Sequence, residues 1–104
     1  YSLSCGGPII MPGSGNFVIT PISPHNLNVR PIVISSDMEL ELEIESRTEK
    51  YILSCDSKYK TLSTKTKLII KKAPFKINLI RLKSDSYFET LREKLLWGLD
   101  VRNY

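Results

Sequence analysis

The sequence is poor in the side chains from which most catalytic centres are built. It has one histidine, His25, and two cysteines, Cys5 and Cys55, in 104 residues. Two cysteines are too few for the disulfide framework that staples small secreted domains. With one imidazole at a scattered position they also make a poor zinc set. Both lie in apolar surroundings in sequence, which predicts reduced, buried thiols in a cytosolic protein. A nucleophilic set could be assembled on paper from Ser4 or Cys5, His25 and Asp56, but nothing in their spacing supports it. No glycine-rich phosphate loop is present: Gly13-Ser14-Gly15 is too short and runs straight into a strand signal. No apolar run exceeds three residues, Ile9-Ile10-Met11 being one, so no segment reads as a membrane-spanning helix. No charged start followed by an apolar stretch marks a secretory leader. The opening "YSLSCGGP" reads as the middle of a longer chain, so a fragment is expected.

What is present is a β-rich pattern with a basic bias. A length of 104 residues suits one domain with a small core. At 41% hydrophobic and 25% charged, the composition is that of an ordinary globular protein. Net charge is +4, and six lysines fall between Lys58 and Lys72 with no acid among them. Such a run is either the solvated face of a hairpin or an attractor of phosphates. Nucleic-acid binding would want aromatics between the basic residues, and Tyr59 alone qualifies. Neither a nucleic-acid nor a membrane partner is expected.

Strand signals dominate. "FVIT" (17–20) follows the turn-rich "PGSGN", and "PIVIS" (31–35) is β-branched. In "MELELEIE" (38–45), Met38, Leu40, Leu42 and Ile44 point one way and four glutamates the other, which is a strand with one wet face. "RTE" (47–49) reads as a hairpin turn into "KYILSC" (50–55), and "DSK" (56–58) as a second turn. "KLIIKK" (67–72) and "FKINLIRL" (75–82) read as further strands parted by Ala73-Pro74. Strands at this spacing suggest an antiparallel sandwich. Near the end the period changes. Ser86 and Glu89 form a capping box, Phe88, Leu91, Leu95 and Leu96 share a helical face, and Gly98 is a fitting stop. The expected fold is therefore mainly β, an antiparallel β-sandwich-like domain over 1–104 with one C-terminal helix near 86–97. At the other end, "YSLSCGGP" suits the last turns of a helix ended by Gly6-Gly7 and barred from continuing by Pro8.

Three ordered blocks and the tail resemble one family. "YSLSCGGPIIMP" is similar to a T-G-S-T-A-Y-S-L-S-A-G-G-P segment entered at its Tyr, with Cys5 where Ala is common. "PISPHNLNVRPIVI" is similar to P-x-x-P-H-x-L-x-x-R-P-[IL]-V. "LSCDSK" resembles a block containing D-[GS]-Q, with Lys58 in place of Gln. With "SYFETLREKLLWG", these resemble the C-terminal part of the NAD kinases, the ATP–NAD kinase family, across the whole chain.

The resemblance implies phosphoryl transfer from ATP, or polyphosphate in some members, to the 2′-hydroxyl of the adenosine ribose of NAD, giving NADP. The family's G-G-D-G and N-E motifs, which handle phosphates and grip NAD, do not occur in this sequence. The chain therefore resembles an NAD-binding and assembly half that is inactive by itself, with no catalytic residue of its own. A divalent metal such as Mg, bound with ATP, would have no site here. The NAD-binding roles implied fall on Tyr1, Ser4, Ser23, His25, Asp56 and Lys58. Tyr1 would pack its ring on the dinucleotide, and Ser4 would face the same ligand. Gly6 and Gly7 would allow close backbone approach. Pro21 and Pro24 would hold Ser23 and His25 extended and rigid, near the NAD site of an adjacent subunit. Asp56 would orient ligand hydroxyls, or serve only as a turn residue. The implied protein is cytoplasmic and a homo-oligomer, dimer or tetramer, through this domain. The rival reading is a non-catalytic β-sandwich module that binds an anionic partner through its lysine-rich hairpins.

Overall fold

Short runs rich in apolar and β-branched residues, with one lysine-rich exception, build six short strands, seen in a computed structural model that describes residues 1–80, 86–98 and 100. The strands are β1 (Asn16–Ile19), β2 (Ile32–Ser35), β3 (Leu40–Leu42), β4 (Lys50–Cys55), β5 (Lys58–Ser63) and β6 (Leu68–Ile70). A 3₁₀ turn, Leu3–Cys5, precedes them, and helix α1, Tyr87–Leu95, follows. The fold is mainly β, in antiparallel pairs, with a single C-terminal helix among the described residues. The chain divides into two compact units, Tyr1–Pro74 and Phe75–Tyr104.

In the first unit each sheet has two strands: β1 with β2, β3 with β6, and β4 with β5. The β4–β5 pair is a tight hairpin, Cys55 lying opposite Lys58 across Asp56-Ser57. Asp56 adopts a left-handed φ of 52°, as a two-residue connection demands, and Asp tolerates it. The expected hairpin through "RTE" does not form. The β3 strand pairs instead with β6, so the β4–β5 hairpin is inserted between two partners. The pairing brings opposite charges together on the wet face. Lys67 lies 2.5 Å from Glu41 and 3.4 Å from Glu43, and Lys71 lies 3.8 Å from Glu39. Three of the glutamates on the wet face thus meet lysines from β6's two ends.

The expected strands are trimmed or lost where no partner ladder exists. Of "MELELEIE" only Leu40–Leu42 is ladder, because β6 offers Leu68–Ile70 opposite it. Residues 75–80 of "FKINLIRL" form no strand, and the remainder lies outside the described residues. Strand β5 was not anticipated. Its sequence, "KYKTLS", has too little apolar alternation to stand out.

Two-stranded sheets leave apolar faces open. Among the described residues only Leu91 and Ser36 are buried. Ile52 is 68% exposed, Ile69 58% and Ile32 56%. The expected burial of the thiols is overturned too: Cys55, at the end of β4, and Cys5, in the 3₁₀ turn, are both free and exposed.

In the second unit, α1 starts as the sequence predicts. The Ser86 N–H donates to Glu89 Oε2 at 3.0 Å, one arm of the capping box. The stop comes two residues before Gly98. Leu96 takes the left-handed φ of 54°, and the Trp97 N–H donates to the Leu91 carbonyl at 3.3 Å. Leu91 is the buried member of the apolar stripe, while Phe88, Leu95 and Leu96 remain exposed.

Candidate functional site

The opening block folds on itself around Ser2. Its carbonyl accepts from the Cys5 N–H at 3.1 Å and the Gly7 N–H at 2.8 Å, and the Leu3 carbonyl accepts from Gly6 at 3.1 Å. With Gly6 at φ 79°, this is the Schellman ending that Gly-Gly-Pro favours. The two glycines serve different needs. Gly6 supplies the left-handed φ. Gly7 supplies space, because a Cβ there would sit 1.9 Å from Ser2 Oγ and 2.8 Å from Thr20 Oγ1.

Ser2 then reaches across to the end of β1, where its hydroxyl pairs with that of Thr20 at 2.6 Å. The turn and the strand end enclose a hollow of about 190 Å³, lined by Tyr1, Ser2, Cys5, Val18, Thr20 and Ile22. That is below the ~300 Å³ at which small-molecule pockets begin. It has room for one ring of a ligand rather than a dinucleotide.

Thr20 opens the connection from β1 to β2, which carries the second block. Ile22 lines the hollow, and Ser23 and His25 follow it into solvent. Ser23 takes a left-handed φ of 47°, so the expected extended path between Pro21 and Pro24 is corrected to a turn. Local hydrogen bonds close the residues that follow His25. Asn26 Oδ1 accepts from the Asn28 N–H at 2.9 Å, and Arg30 Nη1 donates to the Leu27 carbonyl at 2.6 Å.

The structure therefore brings Tyr1 and the start of the His25 segment to one hollow. Ser4 lies exposed in the 3₁₀ turn but does not line it. Asp56 and Lys58 sit at the β4–β5 turn, exposed, and do not line it either. Among the described residues Lys58 forms no ion pair with Asp56. Ser2, Val18, Thr20 and Ile22 were not singled out from the sequence. The available signal was Gly7, a glycine with no positive φ, which marks close approach of something to the backbone. Among the described residues no group of three or more His, Cys, Asp or Glu side chains is placed to hold a metal ion. Among the described residues one buried side-chain polar atom lacks a partner, the Tyr51 hydroxyl on β4.

Comparison with known proteins places these features in a family. Residues 1–82 match the family described as ATP-NAD kinase C-terminal domain. The chain belongs to that family. Among curated relatives it is 52% identical over 103 residues to the NAD kinase of Cytophaga hutchinsonii, covering 99% of this chain and 35% of the relative. The NAD kinase of Christiangramia forsetii gives the same 52% over 103 residues and the same 99% and 35% coverage. That of Porphyromonas gingivalis is 50% identical over 102 residues, covering 98% and 35%. As an ATP-NAD kinase C-terminal domain the chain spans about a third of its relatives' length. The family match ends at residue 82, before α1, whereas the relatives align through nearly the whole chain.

Proposed function

We propose that this domain is the NAD-binding and assembly part of an NAD kinase that forms NADP from NAD, with ATP or polyphosphate as donor. In that reaction the ribose 2′-oxygen bonds to the terminal phosphorus, the bond to the departing ADP or shortened polyphosphate breaks, and the hydroxyl proton leaves to a base. Such transfers rest on positioning and charge stabilisation. This chain's share is positioning. Tyr1 offers a flat amphipathic ring beside the hollow, and Ser4 a hydroxyl on the adjoining turn. Ser23 and His25 reach from the β1–β2 connection toward an NAD bound by a neighbouring copy. Asp56 accepts from ligand hydroxyls, and Lys58 donates from the hairpin turn. The divalent cation expected with ATP, Mg, is carried with the nucleotide by the rest of the enzyme.

The observation that carries the reading is 52% identity to an NAD kinase along 99% of this chain. The open sheets favour assembly: exposed Ile32, Ile52 and Ile69 lie on two-stranded ladders with unpaired edges, which a second copy can cover as a dimer or tetramer. We place the enzyme in the cytoplasm, where both substrates are made and used. Among the described residues no helix is long and apolar enough to cross a membrane. The rival anionic-partner module loses support because Lys67 and Lys71 already face glutamates. The test is Tyr1→Ala and His25→Ala in the full-length enzyme. Each should raise the KM for NAD about tenfold with the KM for ATP unchanged. Unchanged KM for NAD in both variants would refute the assigned site.

A further inference from the structure

We infer that Ser2 and Thr20 are positioning residues for the dinucleotide. Their hydroxyl pair is a latch that sets the distance between the Tyr1 wall of the hollow and the connection bearing Ile22, Ser23 and His25. The inference rests on the NAD-kinase reading above and adds residues that reading does not assign.

Three constraints converge on Ser2. Its carbonyl holds two N–H groups, from Cys5 and Gly7, so its backbone is fixed in the turn. Its hydroxyl meets Thr20 Oγ1 at 2.6 Å across 18 residues of sequence, in a half-buried setting. The space for that contact exists because Gly7 has no Cβ: one would lie 2.8 Å from both Thr20 Oγ1 and the Ser2 carbonyl oxygen. On the other side, Thr20 is β-branched and stiff at χ1, so its hydroxyl is held in few directions.

The latch joins the two walls of the hollow. Strand β1 does not depend on it, since Asn16–Ile19 is paired with Ser35–Ile32 by its own ladder. The 3₁₀ turn does not depend on it either, since its backbone bonds close locally. Loosening the latch therefore lets the Leu3–Cys5 turn and the end of β1 move apart without unfolding either. A ring held between them loses its fixed geometry, and the loss is felt equally in ground and transition states. That pattern raises KM and leaves kcat. Neither hydroxyl needs to touch the ligand for this effect.

The experiment uses the full-length enzyme with Ser2→Ala, Thr20→Val, the double variant and Thr20→Ser. NADP formation is followed as NAD and ATP are varied, alongside thermal unfolding. Ser2→Ala and Thr20→Val should each raise the KM for NAD about 3- to 10-fold, the loss expected of one neutral hydrogen bond. The KM for ATP and the kcat should stay within about twofold. The double variant should be no worse than the poorer single, because both remove one bond. Thr20→Ser keeps the hydroxyl and should restore the KM. An unchanged KM for NAD in both single variants would overturn the latch while leaving the kinase reading intact. A parallel fall in kcat, ATP affinity and thermal midpoint would mean a purely structural bond and would also overturn it. A wild-type enzyme that forms no NADP would overturn the kinase reading and the latch with it.

Discussion

Replacing Gly7 by Ala should be more damaging than replacing Gly6, although Gly6 is the residue with the unusual backbone. At Gly7 the added methyl would lie 1.9 Å from Ser2 Oγ, 2.8 Å from the Ser2 carbonyl oxygen and 2.8 Å from Thr20 Oγ1. The hydroxyls can rotate away at the loss of their mutual bond, about 1 kcal/mol. The carbonyl cannot, because the Cys5 and Gly7 N–H groups hold it. Relieving that clash requires a backbone shift, which overpacking series put at about 1–3 kcal/mol. The stiffer unfolded chain returns roughly 0.4–1 kcal/mol. The net cost is about 1–3.5 kcal/mol, centred near 2. At Gly6 nothing lies within 4 Å of the added methyl, and the cost is that of a left-handed Ala, about 1 kcal/mol. Denaturant unfolding of the two variants in the full-length enzyme measures both. Gly7→Ala as stable as Gly6→Ala, or more so, would refute the close-packed account of the Ser2 turn.

Lys58→Gln in the full-length enzyme should weaken NADP retention more than NAD binding, by about 1 kcal/mol, since an exposed ammonium gains only modestly from a phosphate. An unchanged ratio of the NADP inhibition constant to the NAD KM would leave Lys58 without a ligand role. Tyr51→Phe should leave stability unchanged or raise it by up to ~1 kcal/mol, because the hydroxyl it removes is buried and unpartnered. A loss above ~1.5 kcal/mol on thermal or urea unfolding would show that the hydroxyl is bonded in the assembled enzyme. Lys67→Met should cost under ~1 kcal/mol at low salt and nothing measurable near 1 M salt, because its pairs with Glu41 and Glu43 are exposed. A cost independent of salt would assign Lys67 a packing role instead.

Local chemistry was legible wherever the local signal and the pairing agreed. The β4 strand runs from Lys50 to Cys55, as its alternation and flanking turn indicate, and the Ser86–Glu89 capping box starts α1. Pairing partners were not legible. The β3–β6 ladder joins segments more than twenty residues apart, and the nearby "RTE" turn pointed to the wrong neighbour. In "KYKTLS" the cross-strand bonds to β4 override a weak strand preference, so β5 was missed. The cysteines looked buried because their neighbours are apolar, but Cys55 ends a two-stranded sheet that cannot cover both its faces, and Cys5 ends an exposed 3₁₀ turn. Of the six residues the family blocks pointed to, Tyr1 alone lines the hollow, joined there by Ile22 from the block that carries His25. The Ser2–Thr20 pair bridges 18 residues and carries no local signature beyond Gly7.

The most direct test is NADP formation by the purified full-length protein that carries this chain. NAD is supplied with ATP or with polyphosphate, and product is read by an NADP-specific dehydrogenase. The account predicts NADP from at least one donor, and none from the isolated 104-residue chain, which lacks the phosphate-handling motifs. Full-length protein that binds NAD but transfers no phosphoryl group from either donor would contradict it.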